Sequence, residues 1–242
     1  MLGCLKILGY VRNWYIINSQ GVDMEIAARI SRTKYDVFRW RCELSIPKKL
    51  MLALGLACLT GLIAQIRIML PWSPVPVTGQ TFAVLLAGVL LGKWWGGISL
   101  AVYAGLGAIG VPWFTGWGGG LGYLGGPTGG YIIGFILAAL FLGYFTDTYV
   151  RSRSFLSMLA LMLLANFILI YGPGLLHLGL WLSLVKGEPV AFTTLLSMGA
   201  LPFIAGDITK AVIAAAIARG VTPKLAYNGE ADRGKWASWR IP

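Results

Sequence analysis

Charge is what this sequence has least of. Asp, Glu, Lys and Arg make up 12% of its 242 residues, about half the share of an ordinary soluble domain, while 57% are hydrophobic. Acidic groups are the scarcest, nine against 20 basic ones. There is one histidine, His177, and the three cysteines, Cys4, Cys42 and Cys58, form no CxxC. That excludes a disulfide framework and a metal site read from cysteine or histidine spacing. There is no HExxH, no Ser/His/Asp set and no cysteine nucleophile with a base, so no enzyme is expected and no cofactor is implied. "GVLLGKWW" (88–95) is one residue short of a phosphate loop and carries Trp94 where that loop needs Ser or Thr. Nucleotide hydrolysis therefore does not belong to this chain. Residues 1–47 contain no apolar core followed by a small-residue cleavage site, which argues against a signal peptide.

What the chain does have is apolar runs and glycine. Mean hydropathy is +0.73 and there are 33 glycines, which suits helices packed closely in lipid. The net charge of +11 sits in short flanks between the apolar runs, a pattern of membrane topology rather than of nucleic-acid binding. The runs predict spans at about 50–70, 81–91, 94–111, 129–145, 155–170 and 202–218. With the N-terminus inside, Lys48, Lys49, Lys93, Arg151, Arg153, Arg219 and Lys224 fall on cytoplasmic flanks and only Arg67 and Lys186 on outer ones. The expected fold is an all-α membrane protein, a bundle of six transmembrane helices with irregular glycine-rich outer loops and both termini cytoplasmic. Residues 48–220 form the bundle and 221–242 a polar cytoplasmic tail. Residues 1–47 have two readings, an amphipathic cytoplasmic extension or a stretch upstream of the true start.

Two outer connections are unusual. "VPWFTGWGGGLGYLGGPTGGY" (111–131) has nine glycines and no charge, too apolar for a solvated loop and too rich in glycine for a stable helix. After the fifth span, Gly172-Pro173-Gly174 is expected to break the chain, because 155–185 as one helix would run about 46 Å. Its second half is then expected along the outer surface. Irregular backbone at membrane depth is tolerated where protein or a water-filled cavity satisfies it, so both loops point to a cavity open to the outside.

Asp207 and Lys210 share one face of the last span at i, i+3. A charge at the centre of a spanning helix costs roughly 2.5–3.5 kcal/mol, and intramembrane ionisable residues are functional candidates. The pair is either a ligand site or a structural ion pair. Thr78, Gln80 and Thr81 stand at the outer start of the second span, to cap it or to line the pocket. Asn166 is read as an interhelical bond and His177 as structural. Ala53-xxx-Ala57 is a small-residue face, used either for packing within the chain or for docking another membrane subunit.

"PVPVTGQTFAVLLAGVLLG" (74–92), "GLGAIGVPWFTG" (105–116), "GPTGGYIIGF" (126–135) and "LPFIAGDITKAVIAA" (201–215) together resemble the BioY biotin transporter family over about residues 50–220. These are substrate-binding S components of energy-coupling-factor transporters. The resemblance implies six transmembrane helices around an outward-facing biotin pocket, with Asp207 and Lys210 as the family's D-x-x-K and the glycine-rich loop as a lid. It implies a transmembrane coupling subunit, docked on Ala53 and Ala57, and separate ATPase subunits. A carboxylate suits biotin's ureido N–H groups and a lysine its carbonyl or carboxylate tail. Trp113, Tyr123 and Tyr131 would wall the remainder. The loop offers no charged or amide side chain between Pro112 and Pro127, so its polar contacts are expected from backbone. The alternative is a stand-alone secondary carrier using Asp207 as a protonatable coupling group. A membrane-embedded acid–base enzyme and a purely structural subunit complete the set of readings.

Overall fold

The computed structural model describes residues 25–26, 28–187, 190–227 and 229–232, and they are predominantly helical. Helix α1 covers residues 28–43 and is followed by α2, Ile46–Ile63, which has Pro47 in its first turn where a missing N–H costs nothing. A β-hairpin of Arg67–Leu70 (β1) and Ser73–Thr78 (β2) leads into α3, Gln80–Leu91, and α4, Trp95–Ala108. The glycine-rich connection contains one helical turn, α5, Leu121–Leu124, before α6, Gly129–Thr148. Then come α7 (Phe155–Leu164), a π-helical segment (Ala165–Ile170), α8 (Tyr171–Lys186), α9 (Phe192–Gly199) and α10 (Ile204–Val221).

Among the described residues, four helical runs are long and apolar enough to cross a membrane: Ile46–Ile63, Gly129–Thr148, Phe155–Val185 and Phe192–Val221. Helices α3 and α4 are also apolar but shorter, at 12 and 14 residues. Helix α6 is the axis of the core, packed by α3, α4 and α8. Small residues set the closest approaches. A Cβ on Gly88 of α3 would collide with the Ala139 carbonyl of α6, and one on Gly134 of α6 would come within 2.6 Å of Ile170 Cα.

Three expectations change. The first span does not continue to residue 70: α2 ends at Ile63, and 67–78 pair as an antiparallel hairpin with a bulge between Ile68 and Leu70. Pro74 and Pro76 alternate along β2, which strips the donors from one edge, a pattern suited to a strand with one free side. Second, Gly172-Pro173-Gly174 does not break the chain, and helix runs through it from Phe155 to Val185. Pro173 has no N–H for the Leu169 carbonyl, and the π segment just before it absorbs the mismatch. Third, α9 was not foreseen, and Pro202 lies in a 3₁₀ turn ahead of α10 rather than at its first position.

Segments read as flanks are packed onto the bundle. Arg41 of α1 pairs with Asp147 of α6, and Phe38 is buried. Residues 222–227 and 229–232 fold under the same end. Asp232 accepts from the N–H groups of Val150 and Arg151 at 2.8 and 2.9 Å, and Glu230 pairs with Arg153 at 2.7 Å. The phosphate-loop look-alike is the α3–α4 turn: Gly92 has φ 85° and the Lys93 N–H donates to Asp147. Ala53 and Ala57 are fully buried, with Ser99 of α4 bonded to the Ala53 carbonyl at 2.7 Å. In this structure the alanine face is packed within the chain.

Candidate ligand site

A cavity opens at the hairpin end of the bundle, between β2, the starts of α3 and α6, the π–α8 junction and the start of α10. Thr78, Gln80, Tyr123, Tyr131, Asp207 and Lys210 all line it. Of the ligand candidates named from sequence, Trp113 alone is not part of the wall. Its indole lies against Tyr103, donating to the Tyr103 carbonyl at 2.9 Å. Apolar cover comes from Val75, Ile132, Phe135 and Phe203, so the site is mostly apolar with a few placed polar groups, the usual make-up of a small-molecule pocket.

Asp207 sits in the first turn of α10, where the helix dipole favours an anion. Its carboxylate is satisfied on every side. Oδ1 accepts from Thr81 Oγ1 at 2.9 Å and from Lys210 Nζ at 2.6 Å. Oδ2 accepts from Asn166 Nδ2 at 2.9 Å and from the Tyr171 hydroxyl at 2.6 Å. Lys210 also donates to the Thr78 carbonyl at 2.7 Å and to Thr81 Oγ1 at 2.9 Å, which uses all three ammonium protons. The i, i+3 pair is thus closed on itself and tied to α3. A ligand that reads either group must take the place of one of these bonds.

Gln80 is the second polar node. It is buried, donates to the Tyr103 hydroxyl at 2.7 Å, and accepts from Thr78 and from Thr115 of the glycine-rich connection. Tyr123 donates to the Thr115 carbonyl, and the Tyr131 hydroxyl donates to the Gly199 carbonyl at 2.7 Å, joining α6 to the end of α9. The connection itself is held mainly through its backbone. Gln65, just beyond α2, donates to the carbonyls of Trp113 and Phe114 and accepts from the N–H groups of Gly116 and Trp117. Trp117 takes φ 61°, a left-handed conformation unusual for its type, and Gly116 and Gly120 supply two further positive φ values.

Sequence reasoning did not single out Gln65, Thr115 or Tyr171, and it read Asn166 only as an interhelical bond. Each acts across a large sequence separation, so nothing local marks it. His177 accords with its structural reading, with Nε2 2.9 Å from the Gly126 carbonyl.

The fold and site have counterparts among known proteins. The model of the BioY family matches residues 33–227. The "Probable biotin transporter BioY" of Methanothermobacter thermautotrophicus is 52% identical over 157 residues, covering 65% of this chain and 100% of that protein. The biotin transporter BioY of Rhodobacter capsulatus is 34% identical over 175 residues, 67% of this chain and 90% of the relative. Among solved structures, the S-component for biotin from an ECF-type ABC transporter superposes with a TM-score of 0.63 at 28% identity, covering 73% of this chain and 93% of that one. The family match reaches into α1 and into the segment after α10, which the resemblance at 50–220 had left out. With a family model that spans most of its length and relatives matched nearly end to end, this chain belongs to the BioY family.

Proposed function

We propose that this chain takes up biotin as the substrate-binding S component of an energy-coupling-factor transporter. The observation that carries the reading is the cavity: six residues from five separate elements, Asp207 and Lys210 among them, line one mostly apolar pocket. Biotin's ureido group offers two N–H donors and a carbonyl, and its tail a carboxylate. In the proposed pose Asp207 accepts from the ureido N–H groups after giving up a present donor. Lys210 then meets the carbonyl or the tail, while Tyr123 and Tyr131 cover the apolar ring. The protein carries out no reaction of its own.

We place it in the plasma membrane as a multi-pass protein. The two short apolar helices, α3 and α4, join the four longer runs to make six spans, and the basic flanks support cytoplasmic termini. The hairpin end then faces outward. Energy comes from partners, a transmembrane coupling subunit and ATPase subunits, with membrane lipid around the bundle. Docking through Ala53 and Ala57 requires α2 to part from α4, so a partner meeting the bundle as it stands contacts the exposed flank of α2, where Met51 and Leu62 project.

Equilibrium binding of labelled biotin to the purified chain in detergent tests the reading. Saturable binding that is weakened at least tenfold in Lys210→Ala is expected. Folded protein that binds no biotin would end it.

A further inference from the structure

Five positions separate Asn166 from Tyr171, yet both donate to the same oxygen, Oδ2 of Asp207. A regular α-helix does not permit this, since at about 100° per residue positions i and i+5 point about 140° apart. Residues Ala165–Ile170 are π-helical, and the wider turn is closed by the Tyr171 N–H on the Asn166 carbonyl. In such an i→i+5 turn the two side chains come nearly into line. The neighbours hold that form. Pro173 cannot supply the α-helical bond to Leu169, and Gly134 of α6 lets the π segment approach where a Cβ would stand 2.6 Å from Ile170 Cα.

Asn166 is itself fully buried and lies behind the cavity wall rather than on it. Its Oδ1 is the one buried side-chain polar atom among the described residues that has no hydrogen-bond partner. An asparagine kept to join helices satisfies both ends of its amide. This one satisfies only the end that reaches Asp207 and leaves the other desolvated, which is costly. We propose that Asn166 is a positioning residue for ligand capture. Through the π turn it shares Asp207 Oδ2 with Tyr171, and the carboxylate is thereby held with Oδ1 toward Thr81 and Lys210 in the cavity wall. π turns inside α-helices recur at functional sites, and this one aligns two donors that an α-helix would splay. The inference deepens the biotin reading and takes its ligand from it.

Biotin binding and thermal melting of the full chain in detergent test the proposal with Asn166→Leu, which keeps the volume and removes the donor. About tenfold weaker binding is expected, the loss of one hydrogen bond to a charged group, with melting close to that of the parent. A purely structural asparagine gives the opposite result, a lowered melting temperature with affinity unchanged, and that would overturn the proposal. Should Asn166→Leu not fold, Asn166→Ala is read by the same criteria. A parent protein that binds no biotin counts against the biotin reading alone. Melting shifts of N166L, D207N and the double variant then decide, since a residue acting through Asp207 gives non-additive shifts and additive ones refute it.

Discussion

At the residue scale, the carboxylate of Asp207 is tightly constrained. Four donors converge on it, two per oxygen. An amide in its place has one NH₂ group, and whichever oxygen position that group takes, it meets donors. Asp207→Asn is thus more than loss of a charge. We expect it to lower stability by about 1–3 kcal/mol, the cost of leaving buried groups unmatched, and to weaken biotin binding. A melting temperature equal to that of the parent would contradict the first part. Gln65 makes a different prediction. It holds the connection at Trp113, Phe114, Gly116 and Trp117 with one amide, so Gln65→Ala should speed hydrogen exchange at Gly116 and Trp117 while exchange within α2 stays unchanged. Unaltered exchange at those two amides would show that the loop holds itself. The aspartate and lysine were legible in the sequence because their relation is local, two charges one helical turn apart in an apolar run. Gln65, Tyr171 and Asn166 were not, because their partners lie 36 to 52 residues away.

At the scale of elements, hydropathy marked most of the helices and missed what is not decided by hydropathy. Helix α3 begins one residue ahead of its apolar run and ends with it, and α6 starts at the expected glycine. The hairpin was invisible because residues 67–70 are as apolar as the helix before them, and only the alternating prolines of β2 hinted at a strand. The π segment escaped for a related reason. A proline reads as a break, and whether the helix absorbs it depends on the packing of α6 alongside. Glycine shows the same division between local and tertiary information, since two of them in adjacent helices play opposite parts. Gly88 of α3 meets the Ala139 carbonyl and the Gly143 N–H of α6, whereas Gly105 of α4 has no atom within 4 Å of where its Cβ would stand. Gly88→Ala should destabilise the protein by about 1–3 kcal/mol through overpacking. Gly105→Ala should stabilise it by roughly 0.5–1 kcal/mol, by restricting the unfolded chain and favouring helix. Melting of the two variants beside the parent checks both signs, and equal shifts would mean that the α3–α6 approach is looser than described.

At the scale of the whole molecule, the end of the bundle opposite the cavity is closed by α1 and by the described residues after α10. Arg153 has no exposed side-chain surface. It donates to the carbonyls of Thr146, Pro223 and Leu225 and to Glu230, while its guanidinium lies 4.4 Å from the ring of Phe38 in α1. One side chain thus joins α1, α6 and the segment after α10. Burial lowers the Arg153 pKa from its ordinary value, an effect that the Glu230 carboxylate opposes. For Glu230, burial favours the neutral acid, but the Tyr227 N–H and the Arg153 guanidinium outweigh it and hold the carboxyl below its ordinary value of 4.5. A carboxyl depressed on folding contributes stability that is complete above its unfolded pKa and is lost as pH falls through the folded one. The contribution of Glu230 should therefore be constant at neutral pH and decline below about 4.5. Glu230→Gln should melt lower than the parent at pH 7, and the gap should narrow on acidification as the parent loses the same charge. A gap that stays constant down to about pH 3, well below that range, would assign the effect to packing of the segment rather than to the ion pair. Biotin affinity of the variant at pH 7 should match the parent, because the clasp and the cavity lie at opposite ends of α6 and none of the residues that Arg153 touches lines the cavity.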